Sequence, residues 1–236
     1  HSATRYYFLF HLRLFYAFSQ AFSYFWFMRD ATLIAEKLLQ VKAVQLNPAN
    51  PYTWASGWKS PIYCDNRKVL SFPYVRDYIK SELCNVIFEQ YEAATLLAGV
   101  ATAGIPWGAM AADQLKLPFI YVRPKPKEHG LGNQIEGDYQ AGQKVVVIED
   151  LVSTGKSSLQ AVDALLDRGL DIIGMVSIFN YGFPIASEQF TKRGLSYTSL
   201  TDYPTLIALA ATAGIIDSAQ VTLLEKWRES PSTWTP

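Results

Sequence analysis

The chain has 236 residues, enough for one domain with a full hydrophobic core. Half of them are hydrophobic, and 21 Lys and Arg balance 21 Asp and Glu. No global field therefore recruits nucleic acid or an anionic membrane, and any anionic ligand must be held by local charge. The two cysteines, Cys64 and Cys84, lack metal-ligand spacing; they read as small buried residues and point to a reducing compartment, here the cytoplasm.

In chain order, the first feature is the aromatic stretch 6–28, "YYFLFHLRLFYAFSQAFSYFWFM". His11 and Arg13 leave too short an apolar run for a membrane helix, so a membrane anchor is not expected. A signal peptide would need a basic start, an aliphatic core and a small-residue cleavage site, and none stands out. Residues 1–27 are read as a non-native or mis-assigned extension, with residues 28–236 as the domain and "MRDATLIAEKLLQ" as its start.

From Asp30 onward helical and strand patterns alternate. "DATLIAEKLLQVKAV" (30–44) has Asp30 as N-cap and apolar residues at helical spacing. "PYVRDYIKSELCNVIFEQY" (73–91) repeats the pattern, with Val75, Tyr78, Ile79, Leu83, Val86 and Ile87 on one face. A short apolar run, 94–100, precedes "GIPWGAMAADQL", where Pro106 suits a first helical turn. Strand 118–123 leads to a polar Gly/Pro segment, 124–143. "KVVVIED" (144–150) reads as a strand buried on both faces. The helix after it turns Leu159, Val162, Leu165 and Leu166 inward and ends near Gly169, before strand 171–181. Trp54, Trp58 and Trp107 read as packing residues. Such alternation predicts an α/β fold, with a central, mostly parallel sheet flanked by helices and ligands at the carboxyl ends of its strands.

The stretch "IEDLVSTGKSS" (148–158) ends like a nucleotide-binding P-loop, but the position that must be glycine is Asp150. A carboxylate there would repel a triphosphate. What remains is a buried strand, the acidic pair Glu149-Asp150, and Ser153-Thr154-Gly155-Lys156-Ser157 opening a helix. Backbone N–H groups and hydroxyls at a helix start fit one phosphate dianion. The acidic pair suits vicinal hydroxyls or a hydrated Mg²⁺. Together they describe a site for a ribose 5-phosphate.

"VVVIEDLVSTGKS" resembles the 13-residue pyrophosphate-sugar motif of the type I phosphoribosyltransferases. Three further segments narrow the resemblance to the shorter-chain orotate phosphoribosyltransferases. "VRPKPKEHGLGNQIEG" (122–137) keeps the R-x-x-x-K-x-H-G spacing of their mobile catalytic loop in Arg123, Lys127, His129 and Gly130. "SGWKSPIYCDNR" (56–67) resembles their N-terminal substrate-contacting segment, with Lys59 at its lysine position, and "GVATAGIP" (99–106) their pyrophosphate-side loop. The resemblance spans roughly residues 28–230. It implies the type I fold with a small N-terminal hood region, and transfer of 5-phosphoribosyl from 5-phosphoribosyl-1-diphosphate (PRPP) to orotate in de novo UMP synthesis. It implies Mg²⁺ carried by PRPP with no direct protein ligand, and a homodimer sharing the mobile loop. Arg123, Lys127 and His129 are then the catalytic lid groups, Lys127 foremost. PRPP is expected to meet these three together with Glu149, Asp150, Leu151, Val152, Ser153, Thr154, Gly155, Lys156 and Ser157; Ser153 and Lys59 face orotate. The chain departs from the family at Ala103 and Pro124, where other members carry lysine, and has no arginine after strand 171–181, so orotate anchoring rests on Ser153 and backbone groups. Transfer to another base, or PRPP binding by a non-catalytic regulator, are the alternatives.

Overall fold

β-Branched runs with no polar alternation need cover on both faces, and that requirement organises the sheet. The computed structural model describes residues 30–54, 56–125 and 134–236. The extension 1–27, Met28, Lys127 and His129 lie outside the described residues. Residues Ala31–Pro236 form one compact unit.

The main sheet has six strands: β5 (Leu96–Val100), β6 (Phe119–Val122), β7 (Ile135–Glu136), β8 (Lys144–Val152), β9 (Asp171–Asn180) and β10 (Tyr197–Asp202). Their order is β10-β9-β8-β5-β6-β7, parallel throughout except for β7, which runs antiparallel to β6. In β8, Val146 and Ile148 enter one core while Val145 and Val147 enter the other, which explains the unbroken apolar run. The first core is roofed by α1 (Ala31–Gln40), α2 (Pro73–Gln90), α3 (Gly104–Leu115), α6 (Tyr203–Thr212) and α7 (Ser218–Glu229). The second is roofed by α4 (Lys156–Leu166) and α5 (Pro184–Lys192). Residues 44–64 form two small antiparallel ribbons outside this sheet: β1 (Val44–Leu46) with β4 (Ile62–Cys64), and β2 (Tyr52–Thr53) with β3 (Lys59–Ser60).

Several boundaries differ from the sequence reading. The helix expected to run to residue 44 stops at Gln40. Lys42 takes φ +55°, and hydrogen bonds from Lys42 N–H to the Leu39 carbonyl and from Ala43 N–H to Leu38 close its end. This is a Schellman closure with lysine where glycine is usual, so no punctuating residue announced it. Val44 is thereby released into β1. Leu166, expected inward, is 50% exposed, because Leu159, Val162 and Leu165 already occupy the core-facing stripe and Leu166 falls at its rim. Gly169, at φ +75°, does serve the helix end: its N–H reaches the Leu166 carbonyl and Leu170 N–H reaches Leu165. β8 continues two residues further than the apolar pattern, because Leu151 and Val152 stay in register with Phe179 and Asn180.

The chain passes from β5 outward to β6 and β7, then returns to the opposite side of β5 as β8. The helices following β5 and β8, α3 and α4, cover opposite faces. Between the carboxyl ends of β5 and β8 the connections therefore part and leave a crevice. Two glycines set its width. A Cβ on Gly104 would stand 2.5 Å from the Ile148 carbonyl oxygen, and one on Gly99 would stand 2.8 Å from the Gly104 carbonyl oxygen. The first turn of α3 thus rests directly on the main chain of β8. Gly104→Ala is expected to push the helix start away and destabilise the fold by about 1–3 kcal/mol, lowering the midpoint by roughly 2–4 °C per kcal/mol in thermal unfolding. A variant melting with the parent would show that the approach is not binding.

Candidate active site

The crevice is lined from four directions. β8 delivers the acidic pair at its end. Glu149 is 5% exposed; its Oε2 accepts from Ser158 Oγ at 3.1 Å and its Oε1 from the Asp150 N–H at 3.0 Å. Burial, followed by the charge of Asp150, pushes the Glu149 carboxyl well above the ordinary carboxylate range. Burial also raises Asp150, against the lowering pull of its bond to Glu149 and of the Arg67 charge. A buried carboxylate beside a half-buried one is costly to ionise in isolation, and the arrangement favours a ligand that brings hydroxyl donors or cationic charge.

After Val152 the loop turns through Ser153 and Thr154, both half-buried, to Gly155 at φ +79°. A Cβ there would also approach the Phe190 ring at 3.1 Å. Gly155 is the N-cap of α4, and no side chain caps that helix, so its first N–H groups point into the loop without an internal acceptor. Lys156 and Ser157 are exposed in the first turn. Such an uncapped helix start is suited to one dianion, and it follows the acids directly in the chain. Ser158, not singled out by the motif, is spent on Glu149.

On the β5 side, residues 101–103 join the strand to α3, with the Ala101 N–H bonded to the Val122 carbonyl at 2.9 Å. Next to it, Arg123 follows β6. Its main chain exchanges hydrogen bonds with Gln134, and its guanidinium pairs with Glu136 at 3.3 Å, with 37% of the arginine side chain exposed. These bonds join residue 123 to residue 134, on either side of the segment that contains Lys127 and His129.

The fourth wall is the 52–66 segment. Lys59 is exposed, with Nζ donating to Thr53 Oγ1 at 2.8 Å, while its carbonyl accepts from the indole N–H of Trp227 at 3.0 Å. Trp54 donates to the Ile62 carbonyl and packs on Tyr181 (5.0 Å between ring centres) and Trp227 (5.7 Å). Tyr181 in turn bonds through its N–H to the Val152 carbonyl. The aromatic cluster therefore joins the Lys59 hairpin, the end of β8 and the end of β9. Trp54, Trp58 and Trp107 are packing residues, as expected. Burial raises the Cys64 thiol well above its usual value and Cys84 to about 11, so neither is a thiolate.

The structure thus brings Arg123, Glu149, Asp150 and the 151–157 loop to one edge of the sheet, with Lys59 on a hairpin anchored to that edge. Asn66, Ser158 and Trp227 were missed. Asn66 stands inside the 56–67 segment, but nothing in its neighbourhood marks it as buried, and Trp227 lies far outside every motif. Among the described residues no group of three or more His, Cys, Asp or Glu could hold a metal ion, and none of the helices is long and apolar enough to cross a membrane.

Residues 81–194 match the phosphoribosyl transferase domain family. The chain is 52% identical over 202 residues to an orotate phosphoribosyltransferase of Phocaeicola vulgatus, covering 86% of this chain and 95% of that protein. It is 53% identical over 201 residues to the orotate phosphoribosyltransferase of Bacillus subtilis, covering 85% and 93%. Among solved structures, an orotate phosphoribosyltransferase from Aeropyrum pernix superposes with a TM-score of 0.64 at 28% identity, covering 77% of this chain and 99% of that one. With half of its residues shared across nearly the full length of these relatives, and the motif's acids and phosphate cradle at the switch point of the sheet, the chain belongs to the orotate phosphoribosyltransferase family.

Proposed function

We infer that the chain transfers the 5-phosphoribosyl group of PRPP to orotate, giving orotidine 5′-monophosphate and pyrophosphate in de novo UMP synthesis. The observation that carries this reading is the pairing, at one strand end, of a buried and a half-buried carboxylate with an open helix N-terminus. One end accepts hydroxyl donors and the other a phosphate dianion, which matches the two poles of a 5-phosphorylated ribose.

Glu149 and Asp150 hold the ribose 2′- and 3′-hydroxyls. The loop from Leu151 through Ser157 receives the 5-phosphate by its N–H groups, with Thr154 and Ser157 hydroxyls and the Lys156 charge beside them. Displacement at the anomeric carbon builds positive charge on the ring and negative charge on departing pyrophosphate. Arg123, Lys127 and His129 stabilise that pyrophosphate, and Lys127 contributes most. Ser153 and Lys59 face orotate. Mg²⁺ fits as an ion carried by the substrate: the acids number two, sit in one strand end and are suited to hydroxyls or to waters of a hydrated cation. The working unit is a homodimer in the cytoplasm.

Absorbance-monitored loss of orotate with PRPP and Mg²⁺, beside parallel adenine, guanine and uracil reactions, tests the assignment. Orotate alone is expected to react. Lys127→Ala is expected to lower kcat by about a hundredfold or more, as for removal of a preorganised charge-stabilising donor. Turnover of another base overturns the acceptor, and PRPP binding without turnover of any base overturns the enzyme reading.

The raised Glu149 carboxyl gives a further expectation. kcat/KM for PRPP reports the free enzyme, and it should fall on the acid side as the pair takes up a proton, above the ordinary carboxylate range. The Ser158 hydroxyl bond favours the charged form, so Ser158→Ala should move that limb to still higher pH while leaving the alkaline side in place. An unmoved limb would show that another group sets it.

A further inference from the structure

The pairing of β5 with β8 ends at Ile148, and beyond it β8 is laddered to β9 alone. The Asp150 carbonyl takes its hydrogen bond from outside the sheet: Asn66 Nδ2 donates to it at 2.7 Å across 84 residues of chain. Asn66 is fully buried. Its orientation is fixed from the other end, because Cys64 Sγ donates to Asn66 Oδ1 at 3.5 Å, leaving the amide N–H₂ to face β8. The local frame is equally tied. Asp65 caps the 3₁₀ helix Asn66–Ser71 by accepting from Arg67 N–H, its carboxylate meets Arg67 Nε at 2.6 Å, and its own N–H bonds to the Ala43 carbonyl.

Resting on the function proposed above, we propose that Asn66 is a positioning residue: it fixes the main chain of Asp150, and hence the aim of the acidic pair, and links the Lys59 segment to the PRPP motif. Asn66 touches no reacting atom in this reading. It holds the peptide that follows the Asp150 side chain, so the acceptor-side segment and the ribose-side acids keep one relative placement. A single buried amide therefore couples the two substrate subsites.

Asn66→Asp tests this, because it is isosteric yet donates only when protonated. The charged or titratable groups around the position include Asp150, Glu149, Asp65, Arg67, Cys64, Tyr63 and Tyr181. At about pH 8.5 the introduced carboxylate presents an acceptor to an acceptor, and kcat/KM for PRPP is expected to fall by about tenfold to a hundredfold, the scale of a small misplacement. Relative to the parent, it should recover severalfold toward about pH 6, as the buried carboxyl takes up a proton and regains its donor. Protonation of Asp150 acts in the opposite direction and cannot mimic that recovery. Asn66→Ala should lose about tenfold with no such recovery. A ratio to parent that is flat with pH in the aspartate variant, or an alanine variant within about twofold of the parent, overturns the proposal. Should the aspartate variant not fold, the alanine variant decides. If the parent does not consume orotate, the function reading fails separately, and Asn66 is then judged by calorimetric binding of PRPP with Mg²⁺ under the same pH comparison and the same limits.

Discussion

The first turn of α3 leans on the main chain of β8, and much of the site depends on that contact. With no Cβ on Gly104 or Gly99, the helix start, the end of β5 and the Ile148 carbonyl lie closer than any side chain would allow. The crevice between β5 and β8 is in consequence walled on that side by main chain. A ligand entering it meets peptide groups and strand-end side chains first.

Against that wall the acids impose the opposite demand. Glu149 is almost wholly enclosed, and its internal partners, the Ser158 hydroxyl and the Asp150 N–H, offset only part of the cost of its charge. Keeping two neighbouring carboxylates ionised is costly there, and the arrangement is suited to a ligand that brings hydroxyl donors or cationic charge. The fold thus holds an unfavourable electrostatic arrangement in its ligand-free form, supported by a sheet covered on both sides.

The sheet was legible because its signals are local. Val145 to Ile148 need two cores, and the acids and Gly155 follow at the strand's end, where a parallel sheet places ligands. The motif resemblance extended this to Arg123 and Lys59. What was not legible depends on pairs distant in sequence. Lys42 ends α1 in a left-handed turn without being glycine, so the helix seemed to run on through Val44. Leu166 fits an apolar pattern, yet three neighbours had filled the stripe. Asn66 and Trp227 act on residues 84 and 168 positions away, and a lone amide or indole carries no mark of such a partner.

The indole of Trp227 has a consequence for synthesis. Its bond to the Lys59 carbonyl joins a hairpin to a helix made 168 positions later. A chain still emerging from the ribosome can close its parallel sheet once β10 is out, and with it the acids and the phosphate cradle. The hairpin carrying Lys59 can already pack Trp54 on Tyr181, but it gains the Trp227 hydrogen bond only once residues 218–229 are free. The Lys59 hairpin, though made before the acidic pair, therefore receives its Trp227 anchor after that pair has been placed.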